Sequence, residues 1–422
     1  MIRSTRAGRA LALGGVVALA LTACSGGSDE PADGGTAAGD GGDALTIGTI
    51  LPVTGSLAQL GPPEIAGVDL AIKEINDAGG LFGSDVEVLH RDSSDTSTQI
   101  AQTSAQELIS AGVSAIVGAA SSSVTLSIID DITGAGIVQV SPANTATDLS
   151  GYSDFYFRTA PPDSVQGDVL GNLIIGDGAS NVGILVFNDS YGTSLRDVVE
   201  GVVTDAGGTL VYGGSGQEFD PQETNFSGIV GDALATSPDA IAILAFTDQT
   251  PAIVRELVAQ GWDMSKTYFV DGNLQNFGDD FPAGTLENAQ GTLPGAFPAE
   301  DFQERLLGIN PDLEDYSYAA ESYDATLLVA LAALKGGASD GATIQANMAA
   351  VSGADGGTEC TGWEECSALV EDGEDIAYQA VSGVGPFNEA NDPSSAFIGI
   401  YQFGPENTYT FTRSEEGEVP QS

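Results

Sequence analysis

Short apolar segments alternate with longer segments of helical periodicity along most of this chain, and that alternation limits the folds open to it. Residues 45–51 form a short apolar segment typical of a strand. Residues 64–78 place apolar side chains at helical spacing and end at Gly79-Gly80, a glycine stop signal. The unit then recurs as predicted strands 86–90, 115–117 and 137–140 and predicted helices 98–111 and 124–133. Repeated strand–helix units predict a parallel sheet with helices on both faces.

A second series of the same kind follows Arg158. Its predicted helices are 164–175, 191–206, 226–234 and 251–260, and its predicted strands are 181–187, 209–213, 240–245 and 267–270. Later segments predict a long helix over 317–334 that packs back on the first series, and a hairpin of 397–403 with 408–412. A chain of 422 residues is long enough for two cores. We therefore predict the α/β class, with two doubly wound Rossmann-like lobes that face each other across a cleft.

The first residues have the plan of an export signal. Three arginines, Arg3, Arg6 and Arg9, precede an apolar run over 11–21 that is too short for a comfortable membrane span. Leu21-Thr22-Ala23-Cys24 closes the run and resembles the bacterial lipobox, in which the cysteine becomes the lipidated first residue. We predict a lipoprotein signal over 1–23, with an ordinary signal peptide that happens to carry a cysteine as the alternative.

A change of composition follows the cysteine. Residues 25–43 are almost entirely Gly, Ser, Ala, Asp and Pro, a composition that cannot bury a core, and we predict a flexible tether over 24–44. A lipid anchor at Cys24 and a tether imply an extracytoplasmic protein held at the outer face of the cytoplasmic membrane.

The charge of the chain is extreme. Twelve Lys and Arg residues stand against 60 Asp and Glu residues, for a net charge of −48. A negative charge on this scale repels nucleic acid and anionic lipid, and so disfavours them as partners of the folded body. Its acidic groups also repel one another. Salt screens such repulsion, so the composition also favours a protein adapted to high salt.

Metal and catalytic motifs are sparse. Cys360 and Cys366 lie six residues apart, and in an exported protein such a pair predicts a disulfide. A zinc site needs more ligands than these cysteines and the single histidine, His90, provide, and we predict neither a metal nor a cofactor. With His90 as its single histidine, the sequence offers no Ser/His/Asp arrangement, and it has no nucleotide fingerprint, so we predict that the chain is not an enzyme. A glycosidase-like pair of carboxylates stays open at the level of composition, without support from any motif.

A series of short motifs resembles the branched-chain amino acid binding proteins, the type I periplasmic-binding family that serves ABC importers. Each motif is weak alone, and their order along residues 45 to 400 carries the resemblance. The motifs are Leu51-Pro52-Val53-Thr54-Gly55-Ser56, Ala58-Gln59-Leu60-Gly61, Glu74-Ile75-Asn76-Asp77-Ala78-Gly79-Gly80, Val117-Gly118-Ala119-Ala120-Ser121-Ser122-Ser123, Ser141-Pro142-Ala143-Asn144-Thr145, Phe157-Arg158-Thr159, Asp189-Ser190-Tyr191-Gly192 and Gly385-Pro386-Phe387.

The resemblance implies an architecture and a mechanism. It implies an N-terminal lobe of 45–161 and 296–384, a C-terminal lobe of 162–295 and 385–422, and a three-strand hinge between them. In this family the lobes close around the ligand by a hinge motion.

The resemblance also implies a site for a zwitterion. Ser121, at a strand-to-helix turn, meets the ligand carboxylate through its hydroxyl and N–H, with help from the positive helix end. Thr145 donates its N–H to the carboxylate, and its hydroxyl and the Ala143 carbonyl accept from the ammonium. Asp271, where the family more often has Glu, pairs with the ammonium from the opposite lobe.

The remaining predicted ligand contacts are walls and lower-ranked polar groups. Leu60, Tyr191 and Phe246 are expected to line the pocket, and Leu60 and Phe246 replace tyrosines common in related proteins. That exchange favours an apolar ligand side chain. Ser122 and Asn144 are expected to add polar contacts.

The resemblance implies the solute-binding component of an ABC importer that captures a branched-chain, aliphatic or aromatic amino acid. Permease subunits of the importer are the expected protein partner, and we expect a monomer. Two alternatives stay open at the level of sequence. The cargo of such a protein can be an amide, urea or an organic acid, and the same fold also serves in ligand sensors.

Overall fold

The computed structural model describes residues 44–419. The predicted signal 1–23, the lipidation site Cys24 and all but the last residue of the predicted tether lie outside the described residues.

The first sheet is entirely parallel. Its strands are β1 (Thr46–Leu51), β2 (Glu87–Asp92), β3 (Ala115–Gly118), β4 (Val138–Ser141) and β5 (Tyr156–Arg158). They are arranged in the order β2-β1-β3-β4-β5. The connecting helices are α1 (Gly61–Asp77), α2 (Ile100–Ala111), α3 (Ser122–Leu126) and α4 (Ile129–Gly134).

The predicted helix 124–133 is wrong in one respect, because the structure divides it into α3 and α4. The Ser127 hydroxyl donates to the carbonyl of Val124 at 2.7 Å and so competes for the last turn of α3. Ile128, with φ −129° and ψ −15°, then leaves helical geometry before α4 begins.

The next segment builds a second parallel sheet. Its helices are α5 (Asp163–Gly176), α6 (Ser190–Asp205), α7 (Ser227–Ala235) and α8 (Thr250–Ala259). Its strands are β6 (Asn181–Val186), β7 (Thr209–Tyr212), β8 (Ala240–Leu244), β9 (Thr267–Phe269) and β10 (Gln290–Pro294).

The chain then returns to the first sheet. The returning elements are α9 (Glu300–Ile309), α10 (Ala319–Gly336), α11 (Gly341–Val351), β11 (Thr358–Cys360), α12 (Gly362–Glu371) and β12 (Ile376–Tyr378). Every residue of α10 from Ala319 to Ala333 is buried, and the helix shares one apolar core with α1 and the first sheet. The predicted packing of this helix against the first series is confirmed.

A final hairpin completes the second sheet. Strands β13 (Ser395–Phe403) and β14 (Tyr409–Glu418) pair antiparallel, as predicted, and β13 pairs antiparallel with β10. The complete order is β14-β13-β10-β9-β8-β6-β7. A separate apolar core surrounds this sheet, so each of the two large sheets has its own hydrophobic interior, and the small parallel pair β11-β12 shares the core of the first sheet.

Within residues 44–419 no single helix is long and apolar enough to cross a membrane. Helices α10 and α11 together have the length and composition of a membrane span, but they are bent by 106° where they meet.

Candidate ligand-binding site

Two loops at the carboxyl ends of β3 and β4 form one wall of the candidate site. Ser121 follows β3 and caps α3, where its hydroxyl accepts from the Val124 N–H at 3.3 Å. The hydroxyl of Ser122 accepts from the backbone N–H groups of Thr145 and Ala146, at 3.3 and 3.2 Å. The structure thus brings the two predicted serines and Thr145 together, as neighbouring strand ends in a parallel sheet require.

Helix α3 is only five residues long. The expected help from a positive helix end is therefore small, since a dipole needs several aligned peptide units. Any carboxylate at this wall has to be held by local hydroxyl and N–H groups.

Asn144 lies beneath this wall and is fully buried. Its amide nitrogen donates to the carbonyls of Ala119 and Ala120, at 3.0 and 2.8 Å, and its oxygen accepts from the Tyr156 hydroxyl at 2.9 Å. These bonds occupy the side chain, so Asn144 supports the two loops from below.

The opposite wall is centred on Asp271, which follows β9. One carboxylate oxygen accepts from the Tyr191 hydroxyl at 2.6 Å and from the Gln166 amide at 2.9 Å. The other oxygen accepts from the Tyr318 hydroxyl at 2.7 Å. Asp271 and Tyr191 are predicted site residues that the structure places in direct contact, whereas Gln166 and Tyr318 are partners that sequence reasoning missed.

Burial governs the charge of this acid. It raises the pKa of Asp271, while the hydrogen bonds from Tyr191, Tyr318 and Gln166 act in the opposite direction by stabilising the charged form.

A second buried acid, also missed from the sequence, lies beside this network. Asp163 opens α5 and is fully buried, with the hydroxyls of Ser194 and Thr145 as its hydrogen-bonding neighbours. Burial raises the pKa of Asp163 to about 7, and the negative charge of Asp271 adds to the shift. The amide oxygen of Gln166 is a buried acceptor without a donor in the described chain. Buried acceptors of this kind are expected to meet a donor, and an ammonium group provides three.

The walls between the two acids and the serine loops are apolar. A small cavity of about 20 Å³ is lined by Leu60, Ala143, Tyr191, Phe246 and Tyr318, together with Ser121, Ser122 and Asp271. The rings of Tyr191 and Phe246 stack with their centroids 5.6 Å apart. Gly272 permits this approach, because a Cβ at that position would lie 2.9 Å from the Phe246 ring. The predicted wall residues Leu60, Tyr191 and Phe246 therefore share one cavity.

Hydrogen bonds join the two sides of the cavity at its rim. The hydroxyls of Ser123 and Ser190 lie 2.8 Å apart, and the Thr147 N–H donates to the Ser194 hydroxyl at 2.9 Å. On another edge, the Thr247 hydroxyl donates to the carbonyl of Ser56 at 2.9 Å. A cavity that holds about one water molecule, closed by contacts at its rim, must open before a ligand of amino-acid size can enter.

Two further predictions concern residues away from the cavity. His90 has a structural place on β2, where its ring nitrogens face the Thr49 hydroxyl at 2.9 Å and Asp69 at 3.0 Å. The predicted disulfide between Cys360 and Cys366 is present, with 5.3 Å between their Cα atoms. No group of three potential metal-ligating side chains occurs in the part of the chain that the structure describes.

Two α/β sheets whose strand-end loops meet around a small, partly polar cavity define a ligand-binding protein of the cleft type. The chain belongs to the periplasmic binding protein family, whose sequence profile matches residues 44–366. The predicted family resemblance and fold class are confirmed, and the family is one of solute-binding proteins that act outside the cytoplasm.

Relatives of known name lie in the same family. The chemotactic signal transduction system substrate-binding protein BasB of Halobacterium salinarum is 25% identical over 379 residues, 85% of this chain and 86% of that protein. The leucine-, isoleucine-, valine-, threonine- and alanine-binding protein of Pseudomonas aeruginosa is 34% identical over 170 residues, 39% of this chain and 44% of that protein. The latter alignment thus spans less than half of the relative.

Solved structures share the fold. The leucine-binding protein LivK of Thermotoga maritima superposes with a TM-score of 0.71 at 19% identity, covering 88% of this chain and 98% of that one. LivJ of Streptococcus pneumoniae, in complex with isoleucine, gives a TM-score of 0.70 at 22% identity, with 89% and 100% covered.

Proposed function

We propose that this chain is the extracytoplasmic solute-binding component of an ABC importer and that it captures an amino acid with an aliphatic or aromatic side chain. The observation that carries the proposal is Asp271, a buried carboxylate held by Tyr191, Tyr318 and Gln166 opposite the serine loops. A buried acid facing hydroxyl and N–H donors across a small cavity has the polarity of a free amino acid.

In the proposed complex the ligand carboxylate lies against Ser121 and the loop that carries Thr145. The ammonium group donates to Asp271, the Ala143 carbonyl and the Thr145 hydroxyl, and it lies in the field of Asp163. The unpartnered amide oxygen of Gln166 and the burial of Asp163 beside Asp271 support this placement. Ser122 acts by holding the Thr145 loop in position.

The ligand side chain is proposed to contact Leu60, Phe246 and the ring of Tyr191. These walls offer mostly apolar surface, so their chemistry favours leucine-type or aromatic side chains over charged ones. The printed names of relatives that bind leucine, isoleucine and valine support the same class.

The cellular setting remains part of the proposal. We propose a lipid anchor at Cys24, a monomer that docks on permease subunits, and lobes of 45–161 with 296–384 and of 162–295 with 385–422. The crossings of the chain between the sheets, near 159–162, 295–299 and 379–394, support a three-stranded hinge. We assign no catalytic step to the cavity.

A calorimetric panel tests the ligand class. Leucine, isoleucine, valine and phenylalanine are expected to bind, whereas urea, leucinamide and benzoate are expected to bind far more weakly or not at all. Equal affinity for leucine and benzoate would contradict the proposal.

A chemosensory role is a second candidate, because BasB, which aligns over most of this chain, is a component of a chemotactic system. Both roles share the binding step. Loss of leucine uptake on deletion of the gene supports transport, whereas loss of leucine taxis with normal uptake supports sensing.

A further inference from the structure

A second cavity, of about 190 Å³, lies where the chain leaves β10 for α9. Its walls come from residues 293–298, from residues 314–318 ahead of α10, and from the β13–β14 hairpin. Tyr318 is the one lining residue that it shares with the cavity around Asp271. The hydroxyl of Tyr318 donates to Asp271, so this side chain separates two spaces with different surroundings.

Five aromatic side chains contribute to the walls of this second cavity. The rings are those of Phe297, Tyr316, Tyr318, Tyr401 and Tyr409. Tyr401 and Tyr409 meet edge to face with their centroids 5.3 Å apart.

Phe297, one of the lining residues, stacks on Phe411 with the ring centroids 5.0 Å apart, although 50% of Phe297 and 37% of Phe411 are exposed. Large aromatic side chains held together in contact with solvent often mark a binding surface.

The same cavity is strongly acidic. Glu314, Asp315 and Glu321 line it, and its described lining residues include no lysine, arginine or histidine. Asp315 is fixed by the Tyr409 hydroxyl and by the Ser317 N–H, each at 2.7 Å.

Glu321 has no such partner. It is 3% exposed, and within residues 44–419 no cationic side chain pairs with its carboxylate and no other residue donates a hydrogen bond to it. Burial raises the pKa of Glu321 well above its usual range, so a cation in the cavity would stabilise the ionised form that burial disfavours.

We infer that this cavity is a binding site for a small organic cation, of the quaternary ammonium or substituted amine class. Aromatic faces attract such cations through their ring quadrupoles, and a nearby carboxylate supplies the counter-charge. The volume lies below the roughly 300–1,000 Å³ of drug-sized pockets, so the ligand has few heavy atoms beyond its charged group. The inference does not depend on the amino-acid site, because neither Asp271 nor the serine loops line this cavity.

Tetramethylammonium chloride is a suitable probe. Calorimetric titration of the mature protein at constant ionic strength, balanced with potassium chloride, is expected to show saturable binding of one equivalent. Leucine added in excess is expected to leave that binding in place. Competition by leucine would place the cation in the Asp271 cavity and overturn the assignment. Equal displacement of tetramethylammonium by potassium would also overturn it, because that result indicates general charge screening.

Variants locate the site. Glu321→Gln is expected to weaken tetramethylammonium binding about tenfold, and Phe297→Ser about threefold, in line with the strength of ion-pair and cation–π contacts. Glu371→Gln, which alters an exposed acid of α12, is the matched control and is expected to change nothing.

Loss of folding is not expected for Glu321→Gln, because the change removes a buried acid without a counter-charge. If Glu321→Gln does unfold, Phe297→Ser gives an independent result, because Phe297 is half exposed. Wild-type affinity in both variants would overturn the inference.

Discussion

Asp271 depends on side chains from three distant parts of the chain. Tyr191 comes from the start of α6, Gln166 from α5 and Tyr318 from the residue before α10, and all three donate to one carboxylate. Three donors favour the ionised acid, whereas burial favours the protonated one. A ligand ammonium group adds a positive charge to the same place, so binding and ionisation of Asp271 support each other.

The serine wall gives a first prediction. Ser121→Ala removes both the proposed carboxylate contact and the cap of α3, and we expect amino-acid affinity to fall at least about tenfold, or roughly 1.4 kcal/mol. Asp340→Ala is the matched control, since Asp340 caps α11 through the Thr343 N–H at 3.0 Å, far from the cavity. Both variants should lose stability in urea. If Ser121→Ala binds leucine as the control does, the carboxylate is held elsewhere.

Asp163 makes affinity depend on pH. Its pKa of about 7 in the protein without ligand means that the carboxyl is largely protonated below pH 7. An ammonium group beside it favours the ionised form, so ligand binding releases a proton at low pH. Affinity for leucine is expected to weaken by up to about tenfold for each pH unit below 7 and to level off above it.

Calorimetry in buffers of different ionisation enthalpy would measure that proton release. Asp163→Asn is expected to bind with little dependence on pH between 5 and 8. An equally steep pH dependence in this variant would assign the effect to another group.

The family resemblance implied Ser121, Thr145 and Asp271 as ligand contacts, and each of them follows a short apolar strand, in agreement with the strand-end rule. The strand-end rule could not indicate Tyr318 or Gln166, because these side chains reach the site from helix starts and not from strand ends. Asp163 was missed for a related reason. An acid in the first turn of a helix is common, and only the three-dimensional structure shows it to be fully buried beside Asp271.

At the scale of elements, a buried ion pair holds β5 to the segment that leads into β13. Arg158 is fully buried and meets Asp392 through two bonds of 2.5 and 3.0 Å, and it also donates to the Ser150 hydroxyl and the Ala146 carbonyl. The carbonyl of Ala146 follows the Thr145 loop directly. Arg158 therefore links the binding wall to a segment more than 200 residues away in sequence.

Asp392→Ala is expected to lower the free energy of unfolding by about 3–5 kcal/mol, because it leaves a buried guanidinium without its counter-charge. Urea denaturation followed by circular dichroism would measure the loss. Asp375→Ala removes the exposed partner of Lys335 and serves as the control, with no measurable change expected. If the two variants unfold alike, the pair does not stabilise this junction.

Sequence patterns missed helices α9, α11 and α12, although these have ten or eleven residues. The strands that were missed have clearer physical causes. Strands β5, β11 and β12 are three residues long, too short for periodicity to register. Strand β10 (Gln290–Pro294) contains glycine and proline, which normally argue against a strand. Long alternating segments such as α1 and β6 were predicted within a few residues, because one face of each is buried against a core.

At the scale of the whole molecule, the net charge of −48 sets the response to salt. The few ion pairs among the described residues leave most acidic side chains to repel one another. Raising the salt concentration from 0.1 M to 1 M shortens the screening length from about 10 Å to about 3 Å. We expect the melting temperature to rise steadily over that range, equally in sodium and potassium chloride. A fold equally stable in dilute buffer and molar salt would contradict this.

The central claim is that Asp271 binds the ammonium group of an amino acid, and a cycle of two proteins and two ligands tests it directly. Calorimetry would compare leucine with 4-methylpentanoate, which lacks only the amine, on the wild-type protein and on Asp271→Asn. We predict that loss of the amine weakens binding to the wild type at least about a hundredfold, or roughly 2.7 kcal/mol. The same loss should weaken binding to Asp271→Asn far less. Equal losses in the two proteins, or equal affinity of the wild type for both ligands, would contradict it.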